Sequence, residues 1–233
     1  MNFLSSIPAG GTVFNALTVI VGSLLGLFVG RFIPERLRGT VFNCLGLFSM
    51  ALGLEMALKM SHPLAVLLSL ILGAILGGLC RLDTRLNGLG DALKAKMRSA
   101  NPRFTDGFVT ATLLFCIGAM AIVGAFEDGL SRNPTLLVTK GVMDGISSIL
   151  LSGSFGIGVL FSVIPMSLYQ GGLTFLAVWA EPLLTPDRIA DLSGLGGLMI
   201  VGIGLNLLGV AKLKLGDMLP ALVLVPFLSW VFA

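Results

Sequence analysis

Long runs of apolar residues, separated by short charged stretches, dominate the pattern along this chain. A helix that crosses a bilayer needs about 20 mostly apolar residues. Such runs predict spans at residues 12–30, 40–58, 63–80, 107–126, 192–211 and 218–233. The stretch 134–180 suits two more spans, divided at the glycine cluster around Gly156, and the first of these either crosses fully or re-enters. The pattern therefore predicts an all-α, polytopic transmembrane bundle of about eight spans.

Composition excludes a soluble domain. Hydrophobic residues make up 55% of the chain and charged residues only 12%, against about 25% charged in soluble domains. The 31 glycines and 10 prolines suit membrane helices, which pack closely through small residues. The formal net charge of +3 comes from residues beside the spans rather than from a separate basic domain, so we expect a lipid bilayer and no nucleic acid as partner.

The basic residues alternate from loop to loop. Cytoplasmic loops of membrane proteins carry an excess of Lys and Arg. The loops after spans one, three, five and seven hold eleven of the fifteen Lys and Arg residues: Arg31, Arg36, Arg38, Arg81, Arg85, Lys94, Lys96, Arg98, Arg103, Lys212 and Lys214. We therefore expect a multi-pass protein with both termini on the non-cytoplasmic side.

Residues 82–98 form a predicted amphipathic helix on the cytoplasmic side. Leu82, Leu86, Leu89, Leu93 and Met97 recur at helical spacing among basic residues. A helix of this kind lies in the membrane interface, where it either binds anionic lipid or a regulator, or anchors a loop. We favour the anchor.

The two ends of the chain resemble each other. Pro34-Glu35-Arg36-Leu37 is echoed by Pro186-Asp187-Arg188-Ile189, and the glycines of the next span follow at an offset of 151 residues. These matches predict two repeats of three spans, residues 12–80 and 156–233, joined by two linking spans in 107–153. Because each copy has an odd number of spans and two lie between them, the copies would be inverted, as in many transporters.

The best candidates for a solute or ion path are ionisable and polar residues in spans five and six. Lys140 and Asp144 lie four residues apart in span five, followed by Ser147 and Ser148. Ionisable groups within a bilayer are costly and often mark a path, although a salt bridge that only joins helices is the alternative. Span six adds Tyr169 and Gln170 before two glycines.

Weaker candidates come from other spans. Glu55 and Asn206 hold matching repeat positions and would line the same path from opposite copies. Asn15 and Asn43 are further members, and hydrogen bonding between helices is the alternative role for all four.

Glycines at four-residue spacing predict tight helix contacts. They are Gly22, Gly26 and Gly30 on span one, and Gly73 and Gly77 on span three. Such faces pack either within one chain, which we favour, or between chains of a homo-oligomer.

Enzyme and cofactor signatures are missing from the sequence. It has no HExxH, GxSxG or P-loop, and His62 and the three cysteines lack metal-site spacing. We therefore expect no enzyme, metal or cofactor. The favoured function is a small secondary transporter or channel for a small polar or charged solute. The alternative is a regulatory or scaffold protein that docks a cytoplasmic partner through residues 82–98.

Several segments together resemble the YqgA/YdfK-like family of bacterial membrane proteins, a domain of unknown function (DUF554). The segments are Gly11-Thr12-Val13-Phe14-Asn15-Ala16, Ile33-Pro34-Glu35-Arg36-Leu37, the run from Leu114 to Gly124, Thr139-Lys140 with Asp144-Gly145, and Tyr169-Gln170-Gly171. The resemblance covers nearly the whole chain and implies a multi-helix protein of the bacterial inner membrane. It implies no substrate and no catalytic residue.

Overall fold

The computed structural model describes residues 7, 9–30, 32, 35–117, 119–180 and 185–232, and within them every regular element is helical. The helices are α1 (Gly10–Gly30), α2 (Glu35–Ala57), α3 (Pro63–Cys80), α4 (Leu82–Lys96), α5 (Phe104–Cys116), α6 (Ala119–Ser131), α7 (Thr135–Phe155), α8 (Gly158–Phe161), α9 (Val163–Ala180), α10 (Pro186–Leu207) and α11 (Pro220–Phe232). A 3₁₀ turn, Leu215–Met218, precedes α11. The all-helical prediction is confirmed.

Six helical segments are long and apolar enough to cross a membrane: Gly10–Gly30, Pro63–Cys80, Thr135–Phe155, Gly158–Ala177, Pro186–Leu207 and Leu215–Phe232. The predicted span at 107–126 is not one straight helix, because Phe104–Cys116 and Met120–Ser131 meet at a bend of 58°. If this pair is counted as one broken span, the number of candidate spans rises to seven. The total of eight spans stays a prediction. Arg31, Pro34, Gly118 and Ala233 lie outside the described residues.

The membrane helices expose apolar side chains and bury polar ones. On α1, Leu17 and Phe28 are more than half exposed, whereas Asn15 and Ser23 are fully buried. A soluble protein has the opposite arrangement. Because lipid chains are the favourable solvent for such an apolar exterior, this surface suits a bilayer.

The helices form two compact units, of which unit 1 comprises residues 1–38, 89–116 and 120–181 among those described. Its centre is the parallel pair α1 and α7. Side chains at Gly22, Gly26 and Gly30 would collide with the main chain at Gly145, Ile149 and Gly153, respectively. The glycine face of α1 therefore lets the two backbones touch within one chain.

Unit 2 comprises residues 39–88, 117–119 and 182–233. In it, α2 packs against α10 where Gly46 meets Gly204 and Gly53 meets Gly197. Helix α3 packs against α11 in the same way, with Gly73 against Ala221 and Gly77 against the main chain of Asp217. In each pair the residue numbers run in opposite directions, so both pairs are antiparallel.

Aspartates from distant parts of the chain bind the amide groups at three helix starts. Asp128 accepts a hydrogen bond from the Gly11 amide, and Asp191 accepts from the amides of Ser61 and His62. Asp217 accepts from the amide of Asp83 at the start of α4. The Gly11 and Asp83 amides are among the first of their helices, which have no partner within the helix, and a carboxylate there also complements the helix dipole. The two amides that Asp191 binds immediately precede α3.

The predicted division of 134–180 falls at Gly156, where φ is +84°. A side chain at this glycine would collide with the Asn101 amide group, which donates to the Phe155 carbonyl. Helix α7 itself is continuous over 21 residues. At 1.5 Å per residue this is about the thickness of a bilayer core, so α7 is long enough to cross.

Candidate functional site

The centre of the candidate site is the ion pair between Lys140 and Asp144, one turn apart on α7. Both side chains are buried, with 7% and 11% of their surfaces exposed. An ion pair removed from solvent on an apolar helix needs further polar partners, because desolvation of two charges is expensive. The partners come from three other helices of unit 1.

Lys140 also binds the main chain at the end of α5. Its ammonium group donates to the carbonyl oxygen of Phe115 at 2.9 Å. Helix α5 ends at Cys116, so the Phe115 carbonyl lies in a last turn whose oxygens lack helical partners. The lysine therefore satisfies backbone at the break between the two halves of the bent pair.

Asn15 on α1 joins Asp144 to Gln170 on α9. Its Nδ2 donates to Asp144 Oδ2 at 3.1 Å and to Gln170 Oε1 at 3.0 Å. Both amide side chains are fully buried. Among the residues that the structure describes, neither Asn15 Oδ1 nor Gln170 Nε2 has a hydrogen-bond partner.

Small residues on α7 bring Asn15 within reach of Asp144. A side chain at Gly141 would press against the Asn15 backbone, and one at Gly145 would press against Thr18. Because these two glycines flank Asp144 on one face of α7, α1 approaches close enough for the short asparagine side chain to reach the carboxylate.

This polar cluster, Asn15, Lys140, Asp144 and Gln170, combines an acid and a base with an unused acceptor and an unused donor. Asp144 can hold or release a proton beside a cation, and the free amide atoms can bind a polar solute. Among the described residues no group of three His, Cys, Asp or Glu could hold a metal ion. The cluster itself contains a single carboxylate.

Other predicted residues of α7 and α9 lie beside the cluster. Ser148 donates to the carbonyls of Gly145 and Val19 at 2.8 and 3.3 Å, which places it in the α1–α7 contact. Ser147 is half-buried. Tyr169 precedes Gln170 on α9 and is half-buried too. Their place on a solute path stays a prediction.

Glu55 and Asn206 belong to unit 2 and have local partners there. Glu55 forms an exposed ion pair with Lys59 at 2.7 Å. Asn206 exchanges two hydrogen bonds with the backbone of Leu213, at 2.9 and 2.8 Å, and thereby ties the end of α10 to the following loop. The idea that both line one path also stays a prediction.

Sequence reasoning overlooked the partner of His62. His62 Nδ1 lies 2.8 Å from Asp191 Oδ2, and Asp191 is fully buried although it borders an apolar run. The signal available was the charge itself, because an aspartate immediately before span seven is a costly neighbour for lipid. Asp128, two residues after the run 107–126, carried the same signal and is also buried.

Comparisons with known proteins agree with a membrane location. YdfK of Bacillus subtilis strain 168, described as an uncharacterized membrane protein, is 32% identical over 225 residues, covering 95% of this chain and 96% of the relative. YqgA of Escherichia coli K12, described as an uncharacterized protein, is 31% identical over 224 residues, covering 94% and 95%. No solved structure matches the chain. The family model described as a protein of unknown function (DUF554) matches residues 10–230, and the chain therefore belongs to the DUF554 family.

Proposed function

We propose that this membrane protein is a small secondary transporter or channel of the bacterial inner membrane. Its cargo is a small polar or charged solute that passes the polar cluster of unit 1, and Asp144 exchanges a proton during passage. One observation carries the proposal. A buried Lys140–Asp144 pair is surrounded by amide side chains whose remaining polar atoms, Asn15 Oδ1 and Gln170 Nε2, have no partner in the described part of the chain.

The unmet amide atoms favour a path over a purely structural ion pair. Buried polar atoms in proteins are nearly always hydrogen-bonded, and a buried atom without a partner costs about 1–3 kcal/mol. An ion pair that served only to join helices would be more stable if every polar atom around it were hydrogen-bonded. A site that must bind and release a solute needs donors and acceptors that are free to change partners.

The bent helix pair supports the same function. Irregular backbone at membrane depth is tolerated where it is buried in protein or lines a cavity, and broken helices form the binding sites of many transporters. Here Lys140 binds the Phe115 carbonyl beside the break. Protonation of Asp144 would weaken its ion pair with Lys140. The ammonium group could then change its hydrogen bond to the backbone beside the break.

An internal duplication would supply the two related halves that alternating access uses. At the offset of 151 residues, Gly46 corresponds to Gly197 and Gly53 to Gly204. The contacts join Gly46 to Gly204 and Gly53 to Gly197. Exchange of the two copies converts one contact into the other, which is the pattern of a two-fold interface between equivalent helices.

The direction of the helices agrees with inverted copies. The corresponding helices α2 and α10 are antiparallel, as are α3 and α11. In unit 1, Asn15 of α1 meets Gln170 of α9, whereas Ala9 shares a cavity with Thr174, so α1 and α9 also run in opposite directions. Inverted repeats require this relation for all three pairs.

The test is solute and proton flux in proteoliposomes, with a panel of amino acids, organic anions and inorganic ions. Asp144→Asn keeps the shape of the side chain and removes its proton exchange, so we expect flux to be lost. Asp106→Asn is the matched control, because Asp106 is an exposed acid of the same unit outside the cluster. Size-exclusion profiles and thermal melting show whether each variant is folded.

The outcomes separate the alternatives. Loss of flux in folded Asp144→Asn protein, with normal flux in Asp106→Asn, supports the proposal. Normal flux in Asp144→Asn shows that the ion pair is structural and contradicts the proton-exchange mechanism. Absence of flux for every solute in the unsubstituted protein contradicts the transporter as a whole.

A second candidate is a scaffold that docks a cytoplasmic partner through residues 82–98. Leu89 and Met97 in this segment are 63% and 47% exposed, next to basic residues. Leu89→Ser with Met97→Ser would remove partner binding and leave flux unchanged if docking is the function. Retained binding in this double variant, with flux that depends on Asp144, would contradict the scaffold.

A further inference from the structure

A cavity of about 140 Å³ lies at the end of unit 1 where α1 begins and α6 ends. Asp128, Arg132 and Thr174 contribute its polar lining, and Ala9 and Phe175 contribute apolar surface. Neither the sequence patterns nor the polar cluster accounts for this cavity.

The cavity presents an acid and a base that are not paired with each other. Asp128 is buried, and its Oδ2 accepts a hydrogen bond from the Gly11 amide at 3.0 Å. Arg132 follows the last residue of α6 and is exposed. Among the described residues neither side chain forms an ion pair. A carboxylate and a guanidinium group are therefore both available to a ligand that carries the two opposite charges.

We propose that this cavity binds a small zwitterionic amino acid, with the ligand's ammonium group on Asp128 and its carboxylate on Arg132. The size fits, because a protein cavity of about 150 Å³ holds benzene, and alanine has the same number of non-hydrogen atoms. Carboxylate binding by a guanidinium group is strong and directional. The inference rests on the proposed function only in that it names the substrate class of the transporter.

The cavity is one helical turn from the polar cluster along two helices. On α9, the Thr174 hydroxyl donates to the Gln170 carbonyl at 3.0 Å. On α1, Gly11, whose amide donates to Asp128, is four residues from Asn15, and the buried Thr12 hydroxyl has no partner in the described part of the chain. A ligand in the cavity would therefore lie near two members of the polar cluster, Asn15 and Gln170.

Equilibrium binding to the purified full chain tests the proposal without transport. The probes are alanine, propionate, which lacks the ammonium group, and ethylamine, which lacks the carboxylate. We expect saturable binding of alanine and much weaker binding of the two single-charge analogues. Equal binding of alanine and either analogue, or no saturable binding of alanine, would overturn the proposal.

Two variants locate the site. Asp128→Asn keeps an oxygen that accepts from the Gly11 amide, and Arg132→Gln changes an exposed residue, so both should fold. Each loses one charge-assisted interaction, for which we expect alanine affinity to fall about tenfold or more. Asp106→Asn, an exposed acid outside the cavity, is the control and should bind normally. Unchanged affinity in both cavity variants contradicts the site.

The flux and binding experiments can contradict the transporter and the cavity site independently of each other. Alanine binding that survives Asp144→Asn, with no flux in any variant, would leave the cavity site standing and contradict the transporter. Asp144-dependent flux of another solute, with no alanine binding, would leave the transporter standing and contradict the substrate class.

Discussion

Lys140 donates a hydrogen bond to the Phe115 carbonyl at 2.9 Å, so the residue that balances the charge of Asp144 also holds the backbone beside a helix break. The two roles connect charge to conformation. Any change in the charge of Asp144 alters the electrostatic environment of the group that binds the end of α5. Substitution of Lys140 or Asp144 should therefore change the stability of the protein as well as its flux.

Removal of one member of the pair should be far more costly than removal of both. Lys140→Met leaves a buried carboxylate without its cation, and such a loss typically costs about 3–5 kcal/mol of unfolding free energy. Lys140→Met combined with Asp144→Leu leaves no unpaired charge and should recover most of that loss. Thermal melting in detergent measures both variants.

The control is Lys59→Met, which breaks the exposed pair with Glu55. Water screens an exposed ion pair, so the melting temperature of this variant should barely change. A double variant as unstable as Lys140→Met alone would show that lost packing, rather than an uncompensated charge, causes the loss.

The apolar runs predicted most of the fold because each membrane helix is specified by its own local composition. Residues 12–30, 63–80 and 192–211 each have a helix at or near the predicted position. The break within 107–126 was hidden for a physical reason. The run contains no proline, and glycine is too common in membrane helices to mark a bend.

The polar cluster could be predicted only in part. Lys140 and Asp144 were evident because ionisable residues stand out in an apolar span. Asn15 and Gln170 are 155 positions apart, and their meeting depends on how three helices pack. No local pattern encodes that contact, so Asn15 was ranked as a weaker candidate although it joins the other members.

Adjacent glycines on α3 should respond oppositely to alanine. A side chain at Gly77 would collide with the Asp217 carbonyl oxygen, whereas one at Gly78 would meet no atom within 4 Å. Gly77→Ala therefore forces α3 away from the main chain before α11, at a cost of about 1–3 kcal/mol. Gly78→Ala should be neutral or slightly stabilising, because alanine favours helix. Equal melting temperatures for the two variants would contradict the close contact.

Asp191 should contribute strongly to unit 2 through the start of α3. It accepts from the Ser61 and His62 amides at 2.8 and 2.7 Å and lies 2.8 Å from the His62 ring. Asp191→Ala removes all three interactions, and a hydrogen bond to a charged group typically contributes about 1.5–3 kcal/mol. His62→Ala keeps both amide bonds, so its melting temperature should fall less. A larger fall for His62→Ala would show that the ring contact, rather than the two amide hydrogen bonds, dominates.

The directions of paired helices constrain how often the chain crosses the bilayer. Helices α3 and α11 are antiparallel, and three candidate spans lie between them. Three crossings between them would make α3 and α11 parallel, because each crossing reverses the direction of the chain. Their opposite directions therefore require one further crossing, for which the bent pair α5–α6 is the candidate. Helices α1 and α7 are parallel, with α3 and the bent pair between them. That relation requires one more crossing, for which α2 is the remaining candidate, although its apolar part, Asn43–Ala57, is shorter than the six candidate spans. The helix directions therefore predict eight crossings.

If the chain crosses eight times, both termini lie on the same side, and the distribution of Lys and Arg predicts that this side is non-cytoplasmic. Asn2→Cys and Ala233→Cys, each introduced singly after replacement of Cys44, Cys80 and Cys116, should react with an impermeant maleimide in intact spheroplasts. Lys96→Cys, in the predicted cytoplasmic helix, should react only after permeabilisation. Seven crossings would put residues 2 and 233 on opposite sides, because each crossing reverses the chain. Labelling of one terminus but not the other would therefore show that either α2 or the bent pair fails to cross.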